Sequence, residues 1–266
     1  MSNRHPASTD DEPGMTVEIP TRSDPAILAS IAERAHAQMI EMIHLANNRK
    51  DKRSGDPKVG GHPAACASCC HILGALHLSA REVHDYVCAK PHAAPMDHAY
   101  HHLLGLFRRE SDRTWMSPEE GKALMTRLRD FPLSERDQVF QSYHARTDAD
   151  SFHVLPSGSV GIPPVVSMYL ALAHRYARDH GMRVPPRAHF WSLIGDSEFR
   201  EGSLLEAMPD AAERQLGNVT WIIDYNRQNL DGTRIPNESG LAARDCDRIE
   251  RTALANGWVV HQARHG

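Results

Sequence analysis

The chain has 266 residues, enough to bury one sizeable core and closer to one large domain than to two small ones. Its 30 Lys and Arg against 34 Asp and Glu leave a formal charge of −4, which offers no basic surface for a phosphate backbone, so nucleic acid is not an expected partner. No apolar run approaches the roughly 20 residues that cross a bilayer. The opening MSNRHPASTDDEPG also lacks a signal-peptide stretch, so no membrane association is expected and the chain reads as cytoplasmic.

Residues 1–24, rich in Asp, Pro, Ser and Thr, are expected to form a mobile arm, and residues 25–266 one domain. From Asp24, Ile27, Ile31, Ala35, Met39, Ile40 and Ile43 recur at helical spacing until the charged, glycine-bearing run RKDKRSGDPKVGGH breaks it. The five cysteines, Cys66, Cys69, Cys70, Cys88 and Cys246, are an odd number with three in one short segment, which is poor material for disulfides. Cys66 and Cys69 have the C-x2-C spacing of a zinc site, with His62 and His71 nearby, but a second ligand pair is missing. GGHPAACASCCHILGALHL is therefore read as helix, with Cys serving as a small hydrophobe. Ser117 and Glu120 form a capping box opening SPEEGKALMTRLRD, and the region up to about residue 150 reads as helical and irregular.

From Ser159 the pattern alternates. A helix is predicted over about 164–180, a strand at HFWSLI, a helix over about 203–215, a strand at VTWIID, a further helix and a short strand at WVVH. Such alternation implies an α/β fold with a parallel sheet flanked by helices, in which ligands bind at the carboxyl ends of the strands. GDSEFREG and DYNRQNLDG directly follow the two main strands, so their side chains should meet at one edge. Asp196 and Asn226 stand thirty residues apart, a distance that one helix bridges, and would offer oxygens to a hard cation such as Mg²⁺. An equally available reading has Asp196 capping a helix and Asn226 holding a turn. In SGSVGIPP, Gly158 and Gly161 permit a tight turn, Pro163 and Pro164 suit a first helical turn, and the backbone of Ser159, Val160 and Gly161 could face a ligand. Glu198 and Glu201 occupy helix-N-terminal positions favoured for carboxylates.

GDSEFREGSLLEA followed at this interval by IIDYNRQNLDG resembles the thiamine-diphosphate signature of transketolases and of homodimeric-type pyruvate dehydrogenase E1 components. The likeness extends upstream through VGGHPAACAS, AKPHAAPMDHAYHHLLG, FQSYH and SGSVGIPP, all in order. The resemblance implies the thiamine-diphosphate-binding fold, here its diphosphate-binding domain. It implies that Asp196, the Asn226 side chain and the Gln228 main-chain carbonyl ligate Mg²⁺, and that Ser159, Val160, Gly161, Gly195, Asp196, Ser197, Glu198 and Asn226 contact thiamine diphosphate. It further implies that His62 and His92 assist proton movement beside the cofactor and that Tyr143 lies near the substrate. Ser197 stands where the common family pattern has glycine, so a local adjustment is expected there.

Family members activate the cofactor with a glutamate from a pyrimidine-binding domain, and the resemblance ends before any such domain. The chain is therefore expected to be either a fragment of a longer enzyme or, the favoured reading, one subunit of a two-component enzyme, an α2β2 assembly, moving a two-carbon unit from a small keto donor, a ketose or 2-oxo acid. The acceptor expected from the closer likeness to the dehydrogenase branch is a lipoyl arm on a lipoyl domain or carrier protein. The alternatives are ketol transfer to an aldose, as in relatives serving specialised natural product biosynthesis, and a catalytically silent scaffold subunit.

Overall fold

A computed structural model of the chain describes residues 24–50, 53–55, 62–130, 132–134, 137–151, 157–227 and 245–263. The arm expected over residues 1–24 lies, apart from Asp24, outside the described residues. Asp24 accepts a hydrogen bond from the Ala26 amide (2.8 Å) and Pro25 fills the first turn, which starts helix α1 (Pro25–Asn47). The buried stripe of α1 is Ala32, Ala35, Met39, Met42, Ile43 and Ala46. Ile27 and Ile40, expected on that stripe, are exposed. Ala35, Met39 and Ile43 lie on the expected stripe, and Ala32, Met42 and Ala46 complete it.

The small-residue segment forms two short helices, α2 (Pro63–Ser68) and α3 (Cys70–Ala75), and then a π-helical turn, Leu76–Ala80. Tyr100 explains part of this composition: its hydroxyl donates to the Cys70 carbonyl (2.8 Å), and a Cβ at Gly74 would lie 2.7 Å from that hydroxyl. Tyr100 belongs to α4 (Ala94–Leu103), which packs on α1 and, through α5 (Pro118–Met125), supports the loop beyond. The capping box of α5 forms as expected, with Ser117 Oγ accepting from the Glu120 amide and Glu120 Oε2 from the Ser117 amide.

The remaining elements are strand β1 (Tyr86–Ala89), helix α6 (Ile162–Asp179), strand β2 (Phe190–Gly195), helix α7 (Gly202–Glu213), strand β3 (Val219–Asp224) and helix α8 (Asp245–Ala255). The described strands form one parallel sheet in the order β1-β2-β3, with Tyr86 opposite Phe190 and Gly195 opposite Asp224. Side chains alternate between two helical layers, as pleating requires. Val87, Ala89, Trp191, Leu193 and Ile222 face the core built with α1–α4, while Phe190, Ile194, Trp221 and Ile223 face α6 and α7. Covering both faces is the parallel-sheet condition that the alternating sequence predicts.

Two expectations fail. YVCA forms β1 in a region read as helical and irregular, because four residues buried nearly throughout carry no period to read. WVVH forms no strand. Gly257 takes a positive φ of 80° and the Trp258 amide bonds back to the Ala253 carbonyl, which closes α8 with a Schellman-type cap. The Trp258 ring packs on Trp221, with its Nε1 donating to the Met208 carbonyl (2.8 Å), so the segment is anchored by its side chain rather than by strand pairing. Among the described residues no helix is long and apolar enough to cross a membrane.

Candidate functional site

The three strands end at one edge, and each delivers polar residues immediately beyond its last position: Lys90 and His92 after β1, Asp196 after β2, Asn226 after β3. Asp224, the final residue of β3, is the hub. Its Oδ2 accepts from Lys90 Nζ (2.5 Å), Ser68 Oγ (2.5 Å) and Asn226 Nδ2 (3.0 Å), and Asn226 Nδ2 also donates to Ser68 Oγ (2.9 Å). The Lys90–Asp224 pair is almost wholly buried, so helix α2 and strands β1 and β3 are locked together by a desolvated charge pair.

Asp196 is buried, and its two oxygens accept the amides of Ser197 and Arg227, each at 2.9 Å. Burial raises its carboxyl pKa, and those two amides oppose the rise. Two hydrogen bonds leave part of the carboxylate's acceptor capacity, roughly four lone-pair sites, available to a cation. Arg227 adopts a positive φ of 58°, an uncommon conformation for a non-glycine residue, and this turn aims its amide at Asp196. Ser197 has ordinary helical dihedrals, φ −70° and ψ −32°, which any residue adopts. Gln228 lies outside the described residues.

Glu198 ties the glycine turn to the sheet. Its carboxylate, buried and pushed up in pKa by that burial, accepts the Gly161 amide (2.7 Å) and the Gly195 amide (3.0 Å). Gly161 caps α6 with a φ of 84°, and a Cβ there would lie 2.8 Å from both Cβ and Cγ of Glu201. Within the turn the Gly161 amide is directed at Glu198, while Ser159 and Val160 are exposed.

The three rings expected to act in catalysis come together. His62 caps α2 and meets His92 edge-on at 4.9 Å between centroids, and His92 meets Tyr143 at 5.9 Å. Cys66 links them to α2 by donating its thiol to the His92 carbonyl (2.9 Å). Burial, then the charges of His62 and Lys90, lower the pKa of His92, which favours the neutral imidazole able to accept a proton. Burial pushes the Cys66 thiol up to about 12, Cys69 donates to the Cys66 carbonyl (3.0 Å) and Cys70 to the Ala32 carbonyl (3.5 Å), so these are hydrogen-bonded thiols rather than ligating thiolates. Sequence reasoning missed Lys90, Asp224 and Ser68. Each lies inside a quoted motif, AKPHAAP, IIDYN or PAACAS, but their partnership joins residues far apart in the chain.

No family model matches the chain. It is 29% identical over 208 residues to the pyruvate dehydrogenase E1 component of Mycolicibacterium smegmatis, a match covering 76% of this chain and 20% of that protein. The E1 component of Cupriavidus necator is 26% identical over 180 residues, covering 65% of this chain and 18% of that one. The chain thus spans about a fifth of the length of these relatives. Among solved structures, transketolase from Campylobacter jejuni superposes with a TM-score of 0.60 at 18% identity, covering 88% of this chain and 33% of that one. Transketolase from Leishmania mexicana gives 0.56 at 14% identity, covering 86% and 31%. The α/β architecture is accordingly the fold of transketolases, and in sequence the chain is similar to part of pyruvate dehydrogenase E1 components.

Proposed function

We propose that this chain is the diphosphate-binding subunit of a two-component thiamine-diphosphate enzyme. The observation that carries the reading is the meeting, at one sheet edge, of the Asp196 and Asn226 motifs with the His62–His92–Tyr143 ring group. The donor set suits the cofactor's metal: a buried carboxylate with spare acceptor capacity and a side-chain amide on adjacent strand ends are the oxygen ligands that Mg²⁺ takes alongside phosphate. Asp196 and Asn226 would hold the ion, with Gln228 as the third ligand. The glycine turn that Glu198 anchors would lie against the diphosphate.

When bound, thiamine diphosphate supplies the electron sink for breaking a carbon–carbon bond in a 2-oxo acid or ketose donor. The protein's part is orientation and proton handling. Neutral His92 takes or returns a proton at the reacting centre, His62 shares that task from the exposed side, and Tyr143 bounds the donor pocket. The two-carbon unit passes to a lipoyl arm on a carrier domain, a choice supported by the curated relatives being pyruvate dehydrogenase E1 components.

The pyrimidine-binding domain and its glutamate come, in this reading, from a second chain in an α2β2 assembly. Supporting it, Val160 and Ile162 expose apolar surface at the glycine turn, where a partner would seat. The test is donor cleavage by the purified chain, alone and mixed with a polypeptide carrying that domain, with a 2-oxo acid or a ketose phosphate as donor and lipoamide or an aldose as acceptor. Activity and tight cofactor binding should arise together on mixing, at one stoichiometry. Equal turnover by the chain alone would overturn the two-component reading, activity only with an aldose would replace the lipoyl acceptor, and silence with competent partners would mark a scaffold subunit.

A further inference from the structure

Beneath α4, on the face of the sheet away from α6 and α7, a second set of metal-binding residue types is gathered without solvent. His98 is fully buried, and its Nδ1 bonds Asp150 Oδ2 at 2.6 Å. The same oxygen takes His101 Nδ1 at 2.8 Å. A carboxylate accepting at Nδ1 fixes the imidazole tautomer and leaves the Nε2 lone pair as the outward donor, the arrangement in which a second-shell carboxylate prepares a histidine for a metal. His98 Nε2 has no hydrogen-bond partner despite complete burial, and neither do Asp148 Oδ1 and Asp150 Oδ1. Buried polar atoms of this kind are costly unless something satisfies them.

What faces them is each other. Asp148 Oδ2 lies 3.9 Å from His98 Nε2 and 4.0 Å from His144 Nδ1. One ligand atom from each of His98, His144, Asp148 and Asp150 falls within 4.8 Å of the other three. These spacings are too long for hydrogen bonds, but they approach the edge of a tetrahedron around a metal with 2.0–2.1 Å bonds, about 3.3 Å. The two Asp148 spacings need a contraction of about 0.6–0.7 Å to reach that edge, and the widest spacing in the set up to about 1.5 Å, so loading the ion draws the segment inward. Beyond this shell, Asp97 accepts from His77 (2.6 Å) and pairs with His144 Nε2 (2.9 Å), so both ligand histidines are held by carboxylates on their far nitrogens.

We propose that His98 Nε2, His144 Nδ1 and Asp148 bind a divalent transition-metal ion, Zn²⁺ in the first instance, with Asp150 orienting His98 from its far nitrogen, and that the ion fastens the 140–151 segment to α4. Two imidazoles with carboxylate oxygens suit such an ion and not Mg²⁺, which demands octahedral oxygen. The consequence reaches the sheet edge, because Tyr143 precedes His144 directly and stands against His92. The ion would be structural, with no open face to solvent, and it is independent of the thiamine-diphosphate reading.

The experiment is elemental analysis of the full-length protein, purified without added metal or thiamine diphosphate, followed by removal of metal with a chelator and reloading with Co²⁺. Roughly one equivalent of zinc-class metal per chain is expected, with a fall in melting temperature on stripping and recovery on reloading. Cobalt should give the visible bands of a four-coordinate nitrogen–oxygen site. Asp148→Asn and His98→Gln should each lose the metal, while His71→Gln, beside the cysteines, keeps it. Wild-type protein that is metal-free and indifferent to added Zn²⁺ overturns the proposal, as does full loading in Asp148→Asn. A cobalt–thiolate band, which would place the ion at Cys66 and Cys69, overturns it equally. If the variants fail to fold, metal content and the cobalt spectrum of the wild type still decide.

Discussion

The sheet edge and the chamber beneath α4 use the same residue types, Asp and His, in opposite ways. At the edge, Asp196 takes two backbone amides and Asn226 is only half-buried, so each side chain can meet a ligand without the fold depending on it. In the chamber, Asp97, His98, His101 and Asp150 are fully buried and hold one another. The carboxylates of the two regions differ in their neighbours, backbone amides at the edge and buried imidazoles in the chamber, rather than in residue type. Lys90–Asp224 is the hinge of the comparison, a buried pair set directly under the ligand-facing edge.

The largest effect should come from the chamber. Asp97→Ala strips the acceptor from His77 and the pair from His144 and leaves both imidazoles buried, for a loss of about 3–5 kcal/mol in chemical denaturation. A loss under about 1 kcal/mol, the level of an exposed pair, would erase the contrast between the regions. Asp196→Ala or Asn226→Ala should do the reverse. Mg²⁺-dependent thiamine-diphosphate affinity of the assembled complex should fall by on the order of 100-fold, about 2.7 kcal/mol, with the circular dichroism spectrum unchanged. Undiminished affinity by calorimetry in both variants removes the central claim of the functional reading.

Gly161→Ala tests the seam between the regions' supports. A side chain there must tolerate a φ of 84° and a 2.8 Å approach to Glu201, so about 1–3 kcal/mol of stability should be lost. Gly158, with nothing near a built Cβ, is the control, and an equal loss in Gly158→Ala would assign the effect to glycine content rather than to this contact. The smallest effect concerns protonation. Folding depresses the pKa of His92 below its unfolded value, so the unfolded chain binds the proton first as pH falls, and this residue's contribution to stability declines from about pH 6.5 downward. His62→Ala removes one of the depressing charges, so the His92 ring resonances should titrate at higher pH in that variant. An unmoved or lower midpoint would mean that the two rings are not electrostatically coupled.

How legible was this molecule in its sequence? The alternation of β2, α7 and β3 could be read because buried parallel strands are continuous apolar runs and the helices between them carry a clear stripe. β1 could not, since four buried residues hold no period. The motifs led to Asp196, Asn226, His62, His92 and Tyr143, but motifs name residues singly and do not say which pairs meet.

By itself the sequence determined what is local or periodic: the start of α1 at Asp24 and Pro25, the capping box at Ser117 and Glu120, the two main strands with a polar motif directly after each, and the colinear family resemblance. Only the tertiary structure decided what depends on distance in space. It joined Lys90 to Asp224 across 134 residues and Ser68 to Asp224 across 156, turned the Gly161 amide toward Glu198, and folded the 140–151 segment over α4 so that four buried metal-binding side chains face one another. The physical reason is that helix caps and strand periods are set by neighbours within a few residues along the chain. Buried charge pairs and ligand clusters, by contrast, are created when packing removes water from groups that the sequence keeps far apart.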